Sequence, residues 1–114
     1  MEITGFFKRV SRIRYGANSL GETETIGFEF CEHPDWDPFC NVLYCRANGE
    51  LAQRIAEMAE CDGGIPEGVF TLHVTFSIRR RHEEDGRLHT YVIYNCLEMA
   101  ETPKEVLDFY YKVF

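Results

Sequence analysis

The sequence predicts one all-β domain, a closed five-stranded barrel interrupted by a single helix, with a second short helix near the C-terminus. Short apolar segments with a two-residue alternation recur along the chain, which is typical of half-buried strands. One segment between the third and fourth strands changes to a helical period. The 114 residues suffice for one modest core and contain no linker or repeat, so residues 1–114 are assigned to a single domain.

The first three strands are predicted in the first half of the chain. Aromatic and β-branched side chains are frequent in each of them. The second strand alternates most clearly, with Ile26, Phe28 and Phe30 on one face. The predicted strands are 6–15, 23–31 and 39–46, joined by a turn region at 16–21 and a proline-containing loop at 33–38.

The predicted helix follows the third strand. Leu51, Ile55 and Met58 recur at helical spacing and form one apolar face. Asn48 is a suitable N-cap. The pair Gly63-Gly64 is expected to end the helix.

A long hairpin is predicted after the helix. From Phe70 to Arg79, apolar and polar residues alternate strictly, which predicts a half-buried strand over ten residues. Its partner is predicted over 87–99, and Asp85-Gly86 is typical of the tight turn between them. A capping box with proline at the first helical position, residues 102–105, then predicts the C-terminal helix.

The order β-β-β-α-β-β with a C-terminal helix matches an OB-type Greek-key barrel, all-β with one or two helices. A sheet with helices on one side is the main competing architecture, and a β-sandwich is the other.

The formal net charge is −7, which disfavours nucleic-acid binding by the protein as a whole. Basic residues are nevertheless concentrated in two segments, and a local field matters more than the total charge. Solvated strand ends are the alternative explanation. The clusters are Lys8, Arg9, Arg12 and Arg14 in the first strand, and Arg79, Arg80, Arg81 and Arg87 around the hairpin.

Four segments resemble bacterial single-stranded DNA-binding proteins: an aromatic-led third strand from Phe39, a helix rich in Leu, Ala and Glu from Glu50, a strand from Gly68, and a basic hairpin from Arg79. The first hairpin, with Arg14-Tyr15, is also similar to that family. The resemblance covers most of residues 6–99 and is one of pattern and spacing. It implies an OB fold, single-stranded DNA as partner, a homo-oligomer (dimer or tetramer) and a role in DNA replication.

The sequence also departs from the family pattern. Cys45 and His82 occupy positions where the family carries aromatic residues, and Arg46-Ala47 replaces its strand-to-helix glycine. The family's flexible tail with an acidic end is not expected here, since the sequence ends on the aromatic segment 110–114. These departures disfavour high affinity for DNA and recruitment of partners through a tail.

The expected function is sequence-tolerant binding of single-stranded DNA, with bases stacked on aromatic rings and phosphates held by cations. Tyr94 is a further stacking candidate. Core packing is the alternative role for each ring, and the carboxylates beside Trp36 would repel phosphate. The predicted site comprises Tyr15, Trp36 and Phe39 for stacking, and Lys8, Arg12, Arg14, Arg79, Arg80, Arg81 and Arg87 for phosphate.

Two other functions are alternatives to DNA binding. The charge of −7 and the aromatic C-terminus favour a protein-interaction OB domain, similar to primosomal replication protein N or to a phage or mobile-element accessory. Catalysis is not expected, because the histidines and cysteines form no recognisable motif.

The five cysteines contain no C-x-x-C pair, and Cys31 with His33 has no matching second pair, so neither a metal site nor a cofactor is expected. The odd count and the lack of a secretion signal predict reduced thiols and a cytoplasmic location. No segment is apolar enough to span a membrane.

Overall fold

The computed structural model describes residues 1–18, 21–32 and 42–102, together with Glu105 and Asp108. Antiparallel pairing dominates, and a single helix follows the fourth strand. In chain order the elements are β1 (Glu2–Val10), β2 (Arg14–Asn18), β3 (Gly21–Cys31), β4 (Val42–Asn48), α1 (Gly49–Cys61), β5 (Phe70–His82) and β6 (Leu88–Glu101).

The sheet closes on itself. Its strand order is β1-β5-β6-β4-β3-β2, and an additional β1–β3 pairing joins the two sides into a ring of five strands. The ring is completed by a short parallel pairing of β4 with β6, through Cys45–Tyr94 and Arg46–Asn95. Strand β2 lies outside the ring and pairs with β3. The predicted OB-type barrel is therefore confirmed, with one strand added.

The structure has one strand more than predicted, because residues 6–15, predicted as a single strand, belong to two strands, β1 and β2. β1 pairs with β5 through Glu2–Gly5 and then with β3 through Phe6–Val10. The change of partner occurs at Gly5, where a Cβ would lie 2.1 Å from the Cys31 carbonyl oxygen. Ser11 then fixes the corner before β2, because its Oγ accepts the Gly27 N–H at 3.0 Å and its N–H donates to the Gly27 carbonyl at 2.8 Å.

The core fills the ring and is covered by α1. Ile26, Phe28 and Phe30 share one face, as predicted, and that face is buried. The Phe7 ring lies 5.0 to 5.5 Å from the rings of Phe28, Phe30 and Phe70, in tilted or edge-on contact. The buried face of the helix consists of Ala52, Ile55 and Ala59, while Leu51 and Met58 are partly buried at its margins.

Both predicted ends of the helix are confirmed, but the cap is made differently. Asn48 occupies the N-cap position without a side-chain capping bond, because its Oδ1 accepts a hydrogen bond from Thr25 Oγ1. Gly63 and Gly64 adopt positive φ angles of 82° and 117°. The Gly64 N–H returns to the Ala59 carbonyl at 2.6 Å, which closes the helix.

The predicted β5–β6 hairpin and its Gly86 turn are confirmed, but burial along β5 stops halfway. Leu72 and Val74 are 0% exposed, whereas Phe76 and Ile78, on the same face, are each 62% exposed. The strand continues past the barrel, so no opposite wall formed by the described residues covers its second half. Residues 76–93 therefore form a protruding two-stranded ribbon, called the arm below. Its inner face continues the face that lines the barrel interior.

The predicted loop 33–38 and most of the predicted C-terminal helix lie outside the described residues. Within that predicted helix, Glu105 and Asp108 are described, and both are helical and exposed. Cys31 is disulfide-bonded, so the expectation of reduced thiols is wrong at that position. Cys45, Cys61 and Cys96 are free, and Cys40 falls outside the described residues. In the described part of the chain, no helix is long and apolar enough to cross a membrane.

Candidate nucleic-acid interface

The outward-facing side of β3, β4 and the arm forms one surface, called the outer wall. A chain of hydrogen bonds crosses it. Arg46 Nη2 donates to Asn95 Oδ1 at 3.4 Å, and Asn95 Nδ2 donates to Ser77 Oγ at 2.9 Å. This chain spans the parallel closure between β4 and β6 and reaches the root of the arm, so it fixes the arm's orientation relative to the barrel. Among the described residues, Arg46 Nε is buried without a hydrogen-bond partner.

Tyr44 is the central ring of the outer wall. Its side chain is 60% exposed, although the flanking Leu43 and Cys45 are partly or fully buried. It lines two shallow depressions. One, of about 330 Å³, is bordered by Arg14 and Arg46, and the other, of about 350 Å³, is bordered by Arg9. An exposed ring flanked by guanidinium groups is the arrangement that sequence-tolerant stacking of bases requires.

The outer face of the arm repeats this combination of rings and cations. His89 and Tyr91 are stacked, with ring centroids 6.1 Å apart and planes at 19°. In the strand register, Arg79 lies opposite Tyr91 and Arg81 lies opposite His89. All four share the face of Ser77, which the hydrogen-bond chain joins to Arg46. The arm therefore extends the outer wall beyond the barrel.

The charge of the outer wall opposes the charge of the whole protein. Five guanidinium groups lie along it, against a single carboxylate on the described strands, Glu29, which is paired in register with Arg9. At the tip of the arm, Glu83 forms a 3.0 Å ion pair with Arg81. The five are Arg9, Arg14, Arg46, Arg79 and Arg81.

The predicted cations fall into different places. Arg14 borders the outer wall, and Arg79 and Arg81 lie on the outer face of the arm. Arg80 lies between Arg79 and Arg81 in β5. Because successive side chains of a strand point to opposite faces, Arg80 lies on the inner face. Lys8 and Arg12 are exposed near the corner that precedes β2. Arg87 is exposed at the arm's tip and pairs with Asp85 at 3.5 Å.

The predicted rings are not brought together. Tyr15 is exposed, but it lies opposite Glu24, on the face of the β2–β3 ribbon turned towards the helix. Tyr94 points inwards and packs against the core. Trp36 and Phe39 lie outside the described residues.

Sequence reasoning missed Tyr44 and Tyr91 as exposed rings. Around Tyr44, the run Val42-Leu43-Tyr44 looks uniformly apolar and conceals the alternation. The small residues Cys45 and Ala47 point inwards, which leaves Tyr44 and Arg46 outside. Placing the small residues of that strand in the core would have predicted that Tyr44 and Arg46 face outwards.

The two buried free thiols are unsuited to nucleophilic chemistry. Burial raises the pKa of Cys45 to about 12 and that of Cys96 to about 11, so both stay protonated at neutral pH. Across the described residues, no three His, Cys, Asp or Glu side chains are arranged to hold a metal ion.

The fold has counterparts among solved structures. The small single-stranded DNA-binding protein from Streptomyces coelicolor matches with a TM-score of 0.53 and 13% identity, over 92% of this chain and 94% of that chain. A small single-stranded DNA binding protein from Mycoplasma pneumoniae matches with a TM-score of 0.50 and 10% identity, over 91% and 92% of the two chains. At such identities the likeness establishes the fold, and the resemblance stated from the sequence is confirmed at that level. No protein-family model and no curated protein matches the sequence.

Proposed function

We propose that this protein binds single-stranded DNA on its outer wall, without sequence preference and without catalysis. The observation that carries the proposal is Tyr44, an exposed ring between two depressions bordered by Arg9, Arg14 and Arg46. The two solved structures named above are described as single-stranded DNA-binding proteins. OB folds bind oligonucleotides on the strands that correspond to β3 and β4 and on the hairpin that corresponds to the arm.

In this proposal the rings hold bases and the cations hold phosphates. Tyr44 and the Tyr91–His89 stack provide two platforms on one surface. Arg79, which forms no ion pair with any described residue, is available to a phosphate between them. Lys8 and Arg12 extend the positive surface towards β2. A cytoplasmic location, a homo-oligomer and a role in replication belong to the same proposal.

Binding is tested by fluorescence anisotropy of a labelled oligo-dT, with salt raised from about 50 mM. Tyr44→Ala removes a stacking platform and is expected to weaken binding about 5- to 150-fold. Tyr15→Ala is the matched control, because it removes an exposed tyrosine ring from the face of the β2–β3 ribbon that is turned away from the outer wall. Equal losses of DNA affinity in the two variants would contradict the assignment of the outer wall as the DNA-binding surface.

The cationic contribution is tested by comparing two neighbours on opposite faces of the arm. Arg79→Glu is expected to weaken binding about tenfold and to reduce the salt slope by about 0.7 for each phosphate that the variant no longer neutralises. Arg80→Glu changes the net charge equally and is expected to leave the slope unchanged. Equal affinity for duplex and single strand would argue against stacking, and no binding at about 50 mM salt would refute the proposal.

The second candidate is a protein-interaction OB domain with little DNA binding. The inner face of the arm favours it, because Phe76 and Ile78 are exposed there without a covering element among the described residues. If the anisotropy experiment detects no binding of oligo-dT, the protein-interaction domain becomes the favoured function.

A further inference from the structure

The outer wall has two ring platforms, and only one of them is built on the barrel. Tyr44 is the barrel platform, and the Tyr91–His89 stack is the arm platform. In the described part of the chain, β1 accompanies β5 only as far as Val74, and β6 pairs with β4 at only two positions. Beyond these points the arm is a two-stranded ribbon, which in isolation is at best marginally stable in water. The direction of the arm platform therefore depends on the contacts at the root of the arm.

Asn95 is the residue at which the side-chain contacts of the root converge. Its Oδ1 accepts a hydrogen bond from Arg46 Nη2 of β4 at 3.4 Å, and its Nδ2 donates one to Ser77 Oγ of β5 at 2.9 Å. Its backbone belongs to one of the two residue pairs that close β4 against β6. One side-chain amide thus joins three strands on the outer wall.

The strand register places the two platforms close together. Arg46 pairs with Asn95, and the two strands run parallel. Two residues back along each strand, Tyr44 lies beside Ile93, and both line the same depression. Tyr91 is two residues further back along β6. At about 3.3 Å per residue along a strand and about 4.8 Å between strands, the two tyrosine Cα atoms are about 8 Å apart.

We propose that Asn95 is a positioning residue, which holds the arm so that the two platforms bind one DNA strand as a single site. The inference rests on the proposed function of the outer wall. When two platforms bind the same strand, the second contact is intramolecular, and its contribution depends on how well the geometry permits both contacts at once. A platform held in place beforehand also reduces the entropy lost on binding. Both polar atoms of the Asn95 amide are engaged within the protein, so it acts through its neighbours.

A double-mutant cycle on oligo-dT binding, measured by fluorescence anisotropy, separates positioning from direct contact. Asn95→Ala removes both hydrogen bonds and is expected to weaken binding about tenfold in the otherwise unchanged chain. In a Tyr91→Ala background only the barrel platform retains its full stacking surface. There the same substitution is expected to change the affinity by less than about twofold. Thr75→Ala is the matched control, because Thr75 is exposed, pairs with Asn95 and forms no side-chain hydrogen bond with a described residue.

The outcomes of the cycle are distinct. Equal losses of affinity from Asn95→Ala in the two backgrounds would show that Asn95 does not act by linking the platforms, and would overturn the proposal. No loss in either background would overturn it as well. Both results leave DNA binding by the outer wall intact. If the wild-type chain binds no oligo-dT, the proposed function fails and the inference fails with it.

Ser77 offers a second test that leaves the closure of the barrel undisturbed. Ser77→Ala removes only the bond that reaches β5, and the Arg46–Asn95 bond remains. It is expected to weaken binding of oligo-dT about fivefold. Ser77→Thr keeps a hydroxyl that can accept the Asn95 N–H and is expected to bind as the wild type does. Equal affinities of the two Ser77 variants would contradict a role for this hydrogen bond.

The direction of the arm can also be measured without DNA. Residual dipolar couplings of backbone N–H groups report the orientation of the arm relative to the barrel and are averaged when the arm moves. In the wild type, the couplings of the arm are expected to fit the same alignment as those of the barrel strands. In Asn95→Ala they are expected to be smaller, while those of the barrel strands stay unchanged. Unchanged couplings in the arm would show that other contacts hold it and would overturn the proposal.

Discussion

The two halves of β5 have the same sequence pattern and opposite surroundings. In the barrel half, Phe70, Leu72 and Val74 point inwards and are buried. In the arm half, Phe76 and Ile78 continue that face and are exposed. Alternation along a strand specifies which side chains share a face. It does not specify what covers that face, which depends on how far the neighbouring strands extend.

The same comparison explains why the arm has two different faces. Among the described residues the barrel supplies no cover beyond Val74, so Phe76 and Ile78 remain exposed on the inner face. The outer face carries Arg79 and Tyr91, and the hydrogen-bond chain through Asn95 holds it in line with Tyr44. One ribbon thus presents an apolar surface on one side and a cationic, aromatic surface on the other.

The largest expected effect comes from truncating equivalent side chains in the two halves. Leu72→Ala leaves a cavity in the core and is expected to lower the free energy of unfolding by about 3 kcal/mol. Ile78→Ala is expected to lower it by less than about 1 kcal/mol, since most of that side chain is exposed in the monomer. Urea unfolding at low micromolar concentration measures both. Similar losses would show that the arm is covered within a single chain.

A second comparison uses two glycines, one in the barrel and one in the protruding β2–β3 ribbon. Gly5→Ala places a Cβ against the Cys31 carbonyl oxygen and is expected to destabilise the protein by about 2 kcal/mol. Gly16→Ala meets no atom within 4 Å and is expected to be neutral or slightly stabilising. Thermal unfolding of the two variants distinguishes them. A tolerated Gly5→Ala would mean that β1 changes partner without the close approach.

The smallest effect concerns the buried thiols of the barrel at alkaline pH. Burial raises the pKa of Cys45 and Cys96 above the ordinary value of 9.0. Above that pH the unfolded chain loses protons that the folded chain retains, so stability present below pH 9 declines as pH rises towards 11 to 12.

Urea unfolding at about pH 8 and pH 10.5 measures this decline. The double variant Cys45→Ala/Cys96→Ala is the control, because it retains every other group that titrates in this range. It is expected to lose less stability between the two pH values than the wild type. Equal losses would contradict the role assigned to the two thiols.

The sequence predicted most of the fold because its signals are local. Helical spacing and a glycine pair indicated the helix and its end, and Asp85-Gly86 indicated the hairpin turn. The division of the first strand was not predictable in this way. It depends on the hydrogen bonds of Ser11 to the Gly27 backbone, a contact between residues far apart in the chain. The same limit applied to Tyr15 and Tyr94, whose faces were set by their partners across the sheet.

By itself, the sequence determined the element order, the alternating faces and the two basic segments, because each follows from neighbouring residues. Only the tertiary structure decided that Tyr44 and Arg46 share a wall with Arg79, that Tyr15 faces away from it, and that half of the hairpin leaves the barrel. The physical reason is closure. The pairing of β1 with β3 and of β4 with β6 determines which side chains meet and how far along β5 the side chains are buried by the barrel.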